Sequence, residues 1–138
     1  MRRIQLKRGD QIVSEFDVYD LLLKGDKSKD VRLQPGDVVY IPPVGELVAI
    51  TGSVNQPAIY ELKGPTSLDE LIRLAGGLST VAAGQKVTVE RIIDRSARKV
   101  EDFSLDSAGL ARTVQEGDLV QADDVEKLGH AGFALGVR

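Results

Sequence analysis

The best-specified element of this sequence is one amphipathic helix set between two groups of strand-like runs, and that arrangement leaves few folds open. Ser67-Leu68-Asp69-Glu70 reads as a capping box, in which the serine hydroxyl and the glutamate carboxylate each satisfy an orphan amide of the first turn. Leu68, Leu71, Ile72 and Ala75 recur at i, i+3, i+4 and i+7, which places them on one face. Gly76-Gly77 ends the helix as a left-handed cap. Burying each of the large apolar side chains is worth about 1.5–3 kcal/mol, so the stripe needs a sheet to lie on.

Strand runs precede the helix at residues 47–54 and 58–62, the first interrupted by Gly52 and the two joined by an Asn55-Gln56-Pro57 turn. Further runs follow at residues 87–93, around 100–103, and from Leu119. A helix crossing between two hairpins fits an α+β chain with a β-grasp, ubiquitin-like mixed sheet of four or five strands. A ferredoxin-like split βαβ unit is the main competitor. It normally wants a second full helix, and residues 104–117 offer one short turn at most.

The first forty residues read as a hairpin, a short helix and a closing strand. Ile4, Leu6, Ile12 and Phe16 flank a Gly9-Asp10 turn, and Asp17 can cap a helix that carries Val18, Leu21 and Leu22 and stops at Gly25. Gln34-Pro35-Gly36-Asp37 is a type II turn, since proline fixes φ at the second position and glycine accepts a positive φ at the third. It launches a strand over 38–41, which Pro42-Pro43 terminates.

These forty residues are echoed later in the chain. Ile4, Leu6 and Arg8 match Val87, Val89 and Arg91; Phe16 matches Phe103; and residues 34–39 match residues 115–120, with Gly36-Asp37 falling on Gly117-Asp118. Three blocks in the same order, with the length differences in loops, indicate an internal repeat. The expected organisation is the C-terminal half of one repeat in residues 1–43, a complete repeat in 46–122, and a tail or the start of another repeat in 123–138. The first of these would leave a sheet edge and an apolar face uncovered. Glu116 stands where a proline would strengthen the second turn, so the strand after it is expected to be less firmly pinned.

Composition narrows the chemistry. The 138 residues contain no Cys and one His, which excludes thiolate sites, cysteine nucleophiles and multi-histidine metal centres. Neither a metal nor a cofactor is expected. Net charge is −3 and the basic stretch at residues 24–32 also holds Asp26 and Asp30, so no phosphate-binding surplus exists and no nucleic-acid partner is expected. Aromatics are 4% of the chain, too few for a stacking platform. The carboxylate pairs Asp17 with Asp20 and Asp123-Asp124 sit at element ends, where capping and solvation account for them, and His130 in the tail has no partner nearby in sequence. The glycines from Gly76 to Gly84 follow a helix, whereas a phosphate cradle precedes one. The expectation is a non-enzymatic chain without catalytic residues. No apolar run has the length of a membrane span, so the sequence reads as cytoplasmic or as an excised soluble piece of an exported protein.

Taken together, the motifs resemble the soluble-ligand-binding β-grasp (SLBB) domains of bacterial outer-membrane polysaccharide-export proteins. They are Gly52-Ser53-Val54, Pro57 with Tyr60, the helix begun by Ser67 and Glu70 and closed by Ala75-Gly76-Gly77, and Leu33 to Asp37 with Ile41-Pro42-Pro43. The resemblance spans about residues 1–122. It implies a periplasmic, outer-membrane-associated module that assembles with copies of itself, lines or flanks a passage for capsule or exopolysaccharide, and works with an inner-membrane chain-length or export partner. Glycan contact would fall at the helix end and following loop: Gly76, Gly77, Leu78, Ser79 and Thr80, with small residues continuing to Ala83. A small-ligand receptor domain for a sugar or cofactor is the alternative, and a cluster-free β-grasp module of an electron-transfer complex is a third reading.

Overall fold

A computed structural model describes residues 1–79 and 86–122. Thr80 and the loop through Ala83, Asp123-Asp124, His130 and the tail lie outside the described residues. The chain divides into two compact units, Met1–Gly45 and Glu46–Arg138, and is of mixed α+β type.

The first unit contains β1 (Ile4–Arg8), β2 (Gln11–Phe16), α1 (Val18–Lys24) and β3 (Val38–Tyr40). Its sheet runs β2-β1-β3 with antiparallel pairing throughout, and β1–β2 carries an irregularity between Leu6 and Lys7. Local chemistry sets its boundaries as expected. Asp17 caps α1 by accepting a hydrogen bond from the Tyr19 amide at 3.0 Å, and Gly25 closes the helix at φ +65°. The closing strand ends at Tyr40, one residue short of the expected stop.

The second unit contains β4 (Leu47–Gly52), β5 (Ala58–Glu61), β6 (Thr66–Ser67), α2 (Leu68–Leu74), β7 (Lys86–Ile92), β8 (Arg98–Ser104), α3 (Ser107–Leu110), β9 (Thr113–Val114) and β10 (Leu119–Ala122). Its main sheet has the order β5-β4-β10-β7-β8. The last strand enters the middle, parallel to β4 and antiparallel to β7. Alternation along the strands puts Val48, Ile50, Val87, Val89, Val120 and Ala122 on one face, and all are buried together with Leu68, Leu71, Ile72 and Ala75 of the helix segment. The helical stripe and the sheet face therefore form one core. α3 is a single turn of four residues, too short for the second helix of a split βαβ unit.

Three local details differ from the sequence reading. Only half of the capping box forms: the Ser67 hydroxyl accepts from the Glu70 amide at 3.2 Å, without a return bond from the Glu70 carboxylate. Instead Thr66–Ser67 pairs with Thr113–Val114, and the Leu68 amide donates to the Arg112 carbonyl at 2.8 Å. β4 stops at Gly52 rather than at residue 54, and Val54 makes an isolated bridge to Leu78. β8 extends beyond the 100–103 stretch in both directions.

Candidate functional site

The helix end is held against the β4–β5 turn by the backbone itself. Gly76 and Gly77 both take positive φ, +78° and +85°, and the Gly77 amide reaches back to the Ile72 carbonyl at 2.9 Å. Their carbonyls then face the turn. The Asn55 amide donates to the Gly77 carbonyl at 3.0 Å, the Asn55 side-chain amide donates to the Gly76 carbonyl at 2.7 Å, and the Gln56 amide donates to the Ala75 carbonyl at 2.8 Å. The Ser79 amide donates to Ser53 at 2.9 Å. A Cβ on Gly76 would come 3.2 Å from that of Asn55, so part of the small-residue character serves close approach of this chain's own turn. Gly76 is exposed, and Gly77, Leu78 and Ser79 are half-buried. Tyr60 is buried and donates its phenol proton to the Gln56 carbonyl at 2.7 Å, which steadies the same turn; Pro57 within it is exposed.

Two further structures sit at the strand launches, and they match atom for atom. Arg8 Nε and Nη2 donate to Asp37 Oδ1 and Oδ2, both at 2.9 Å, while Nη2 reaches the Arg32 carbonyl at 3.5 Å. Arg91 Nε and Nη2 donate to Asp118 Oδ1 and Oδ2 at 2.8 and 2.7 Å, while Nη2 reaches the Thr113 carbonyl at 3.4 Å. In each turn the second carboxylate oxygen also accepts a backbone amide at 2.8 Å, from Gln34 and Gln115 respectively. Gly36 and Gly117 supply the positive φ, +87° and +81°. The absence of proline at Glu116 does not alter this geometry. The same carboxylate clamp closes the turn with proline and the turn without it. Arg8 and Arg91 had stood out only as matched positions; the recurrence of an arginine in one block and an aspartate in the other was the available signal for their pairing.

The ion pairs move the ionisation of Arg8, Asp37 and Arg91. The Arg8 guanidinium and the Gln34 amide push the Asp37 carboxyl down from 3.8 to about 2. Asp118 raises the Arg91 guanidinium above its ordinary value. A depressed carboxyl stabilises the fold fully above its unfolded value and ceases to do so as pH falls through the folded one. The Asp37 clamp should therefore hold above pH 3.8 and release toward pH 2. Carboxyl carbon shifts followed from pH 5 downward should give a midpoint near 2 for Asp37, moved toward 3.8 by Arg8→Met. An unmoved midpoint would remove the ion pair as its cause.

Three further carboxylates have structural partners. Asp17 caps α1 and pairs with Arg2 at 3.0 Å, Asp20 pairs with Lys24 at 2.9 Å, and Asp106 caps α3 by accepting from the Gly109 amide at 2.8 Å. Among the described residues no group of three or more metal-ligating side chains comes together.

The family model of the SLBB domain matches residues 47–101, from the start of β4 into β8. That span carries the Gly52-Ser53-Val54 and Ala75-Gly76-Gly77 motifs on which the resemblance rested. None of the curated proteins compared with the chain matches it.

Proposed function

We propose that this chain is a non-enzymatic binding and assembly module of the polysaccharide-export type, built from β-grasp repeats. The observation that carries the proposal is the SLBB match across β4, the helix and β7. The sheet supports the fold part of it. Counting its five strands in chain order gives 2-1-5-3-4, with the last strand parallel to the first in the centre, which is the β-grasp order. The paired Arg–Asp clamps support the repeat part, with residues 1–43 as the closing half of one repeat, 46–122 as a complete one, and 123–138 as a tail or a further start. The structural employment of Asp17, Asp20, Asp37, Asp106 and Asp118 supports binding rather than catalysis.

In this reading the module works on the periplasmic side of an outer-membrane assembly, beside other copies of itself and an inner-membrane export partner. Glycan passes the small-residue surface at Gly76 to Ser79. Because the carbonyls of Ala75, Gly76 and Gly77 are already engaged by Asn55 and Gln56, that surface offers shallow polar contact rather than a deep cradle. Weak contact suits passage, since tight binding would stall a polymer.

Titration of the full chain with capsular and exopolysaccharide oligosaccharides tests this. Amide shifts confined to Asn55 and residues 76–79, with dissociation constants on the order of millimolar, are the expected result. Saturable binding of one sugar or cofactor, with a thermal shift of several degrees, would replace the passage reading with the receptor reading. No shift with any glycan would end both.

A further inference from the structure

The first unit has the same local framework as the second around β1 and β3, yet lacks the elements that cover it there. Its register makes the comparison residue by residue. Leu6 pairs with Val39 as Val89 pairs with Val120, and Ile4 pairs with Phe16 as Val87 pairs with Phe103. The exposures then diverge where the covering elements would lie. Val120 is 0% exposed and Val39 53%; Ala122 is 2% and Ile41 56%; Val114 is 5% and Leu33 67%. In the second unit β4 pairs along β10 and β6 pairs with β9, while α2 buries Leu68 and Leu71. Among the described residues of the first unit β3 is an edge strand with β1 as its one neighbour. The face beside it opens as a groove of about 230 Å³ lined by Ile4, Leu6, Phe16, Val31, Leu33 and Val39. That exceeds the roughly 150 Å³ of an engineered cavity that accepts benzene, so it can take large aliphatic side chains.

From this we infer that the first unit is an acceptor site for a strand–strand–helix segment with the chemistry of residues 46–79, contributed by polypeptide outside these 138 residues. This chain's own residues 46–79 do not qualify, because Leu68, Leu71, Val48 and Ile50 are already buried in the second unit's core. The register fixes how the segment docks. Leu119 lies opposite Ala49 and Val120 opposite Ile50, so the incoming strand sets the counterparts of Ala49 and Ile50 against Val38 and Val39, parallel to β3. The Gly117 amide donates to the Leu47 carbonyl at 2.8 Å, and the Ala49 amide donates to the Asp118 carbonyl at 3.0 Å. The Gly36 amide and the Asp37 carbonyl are the matching groups. A β6-like pair lies along Arg32 and Leu33, and a Leu-rich helix fills the groove. Backbone pairing along an open edge supplies affinity, and the alternating apolar side chains supply register.

The inference rests on the equivalence of the two units within the proposed function. Its test contains no glycan, so it can fail while the export reading stands. Arg3 occupies the place of Lys86 in the matched blocks, so a second copy of residues 46–85 is fused directly ahead of Arg3 in the otherwise intact chain. Hydrogen exchange is read at Gly36 and Val39, the open-edge amides that correspond to Gly117 and Val120, with β7 and β10 as internal reference. In the parent chain these edge amides should exchange freely at all concentrations. In the fusion they should slow by about a hundredfold or more. Leu71→Asp in the added copy alone should return them to the parent rate while leaving the reference strands unchanged. Three results would overturn the inference: edge amides already protected in the parent, protection in the parent that grows with concentration because a second copy covers the face, or a fusion whose added segment leaves the edge as exposed as before.

Discussion

Replacing Asp118 with alanine should destabilise the second unit by about 3–5 kcal/mol, the usual result of removing one partner of a buried ion pair. The side chain of Asp118 is 0% exposed, and its two oxygens accept three donors: Arg91 Nε, Arg91 Nη2 and the Gln115 amide. Truncation leaves all three without that acceptor. The Arg91 side chain is 28% exposed and can recover some water, which favours the lower end of the range. Asp118→Asn should cost less, because its carbonyl can still serve the Gln115 amide. Urea unfolding followed through β7 and β10 amide signals would measure both. A loss under about 1 kcal/mol for Asp118→Ala would mean that the turn is held by its backbone alone. The matching change, Asp37→Ala, should act on the edge strand of the first unit and leave the second unit's midpoint unmoved. That contrast follows from position: β10 has neighbours on both sides, whereas β3 has one.

What the sequence revealed and what it concealed divide along the range of the interactions. Asp17 and Gly25 bound α1 through contacts a few residues long, and Gly36 sets its turn from within four residues. Such features are legible because local chemistry alone decides them. The Arg8–Asp37 and Arg91–Asp118 pairs span 29 and 27 residues, and the partnership of β4 with β10 joins residues 49 and 119. No local pattern announces a partner at that distance. β6 and β9 are two residues each, too short to show any period, so their pairing could not be read from the sequence. Glu116, in place of a proline, suggests a looser strand only if the turn is taken by its second position alone. The carboxylate two residues on, paired with an arginine 27 residues away, sets the same turn geometry with or without the ring. At the helix end, the glycines were legible as a cap, whereas Asn55 as the residue engaging two of the carbonyls was not.

Gly52→Ala should be about as damaging as Asp118→Ala, at roughly 4 kcal/mol, because two separate costs meet at one atom. Gly52 sits at φ +87°, and a Cβ there would overlap the Ala122 carbonyl oxygen. That oxygen accepts the Ser53 amide at 2.8 Å, so it cannot retreat without losing a hydrogen bond at the end of the β4–β10 pairing. Gly64→Ala separates the two costs. Gly64 has nearly the same φ, +84°, but nothing lies within 4 Å of its added Cβ, so only conformational strain of about 1–3 kcal/mol applies. The difference between the two variants therefore reads the price of close approach. The damage should also spread in a definite direction. Ser53 leads into Asn55 and Gln56, which hold the carbonyls of Ala75, Gly76 and Gly77, so Gly52→Ala should shift the amides of residues 75–79. Gly64→Ala should leave them in place. Equal melting temperatures for the two variants would show that β4 can yield at Gly52. In that event the helix end is positioned by its own cap and not by the strand beneath it.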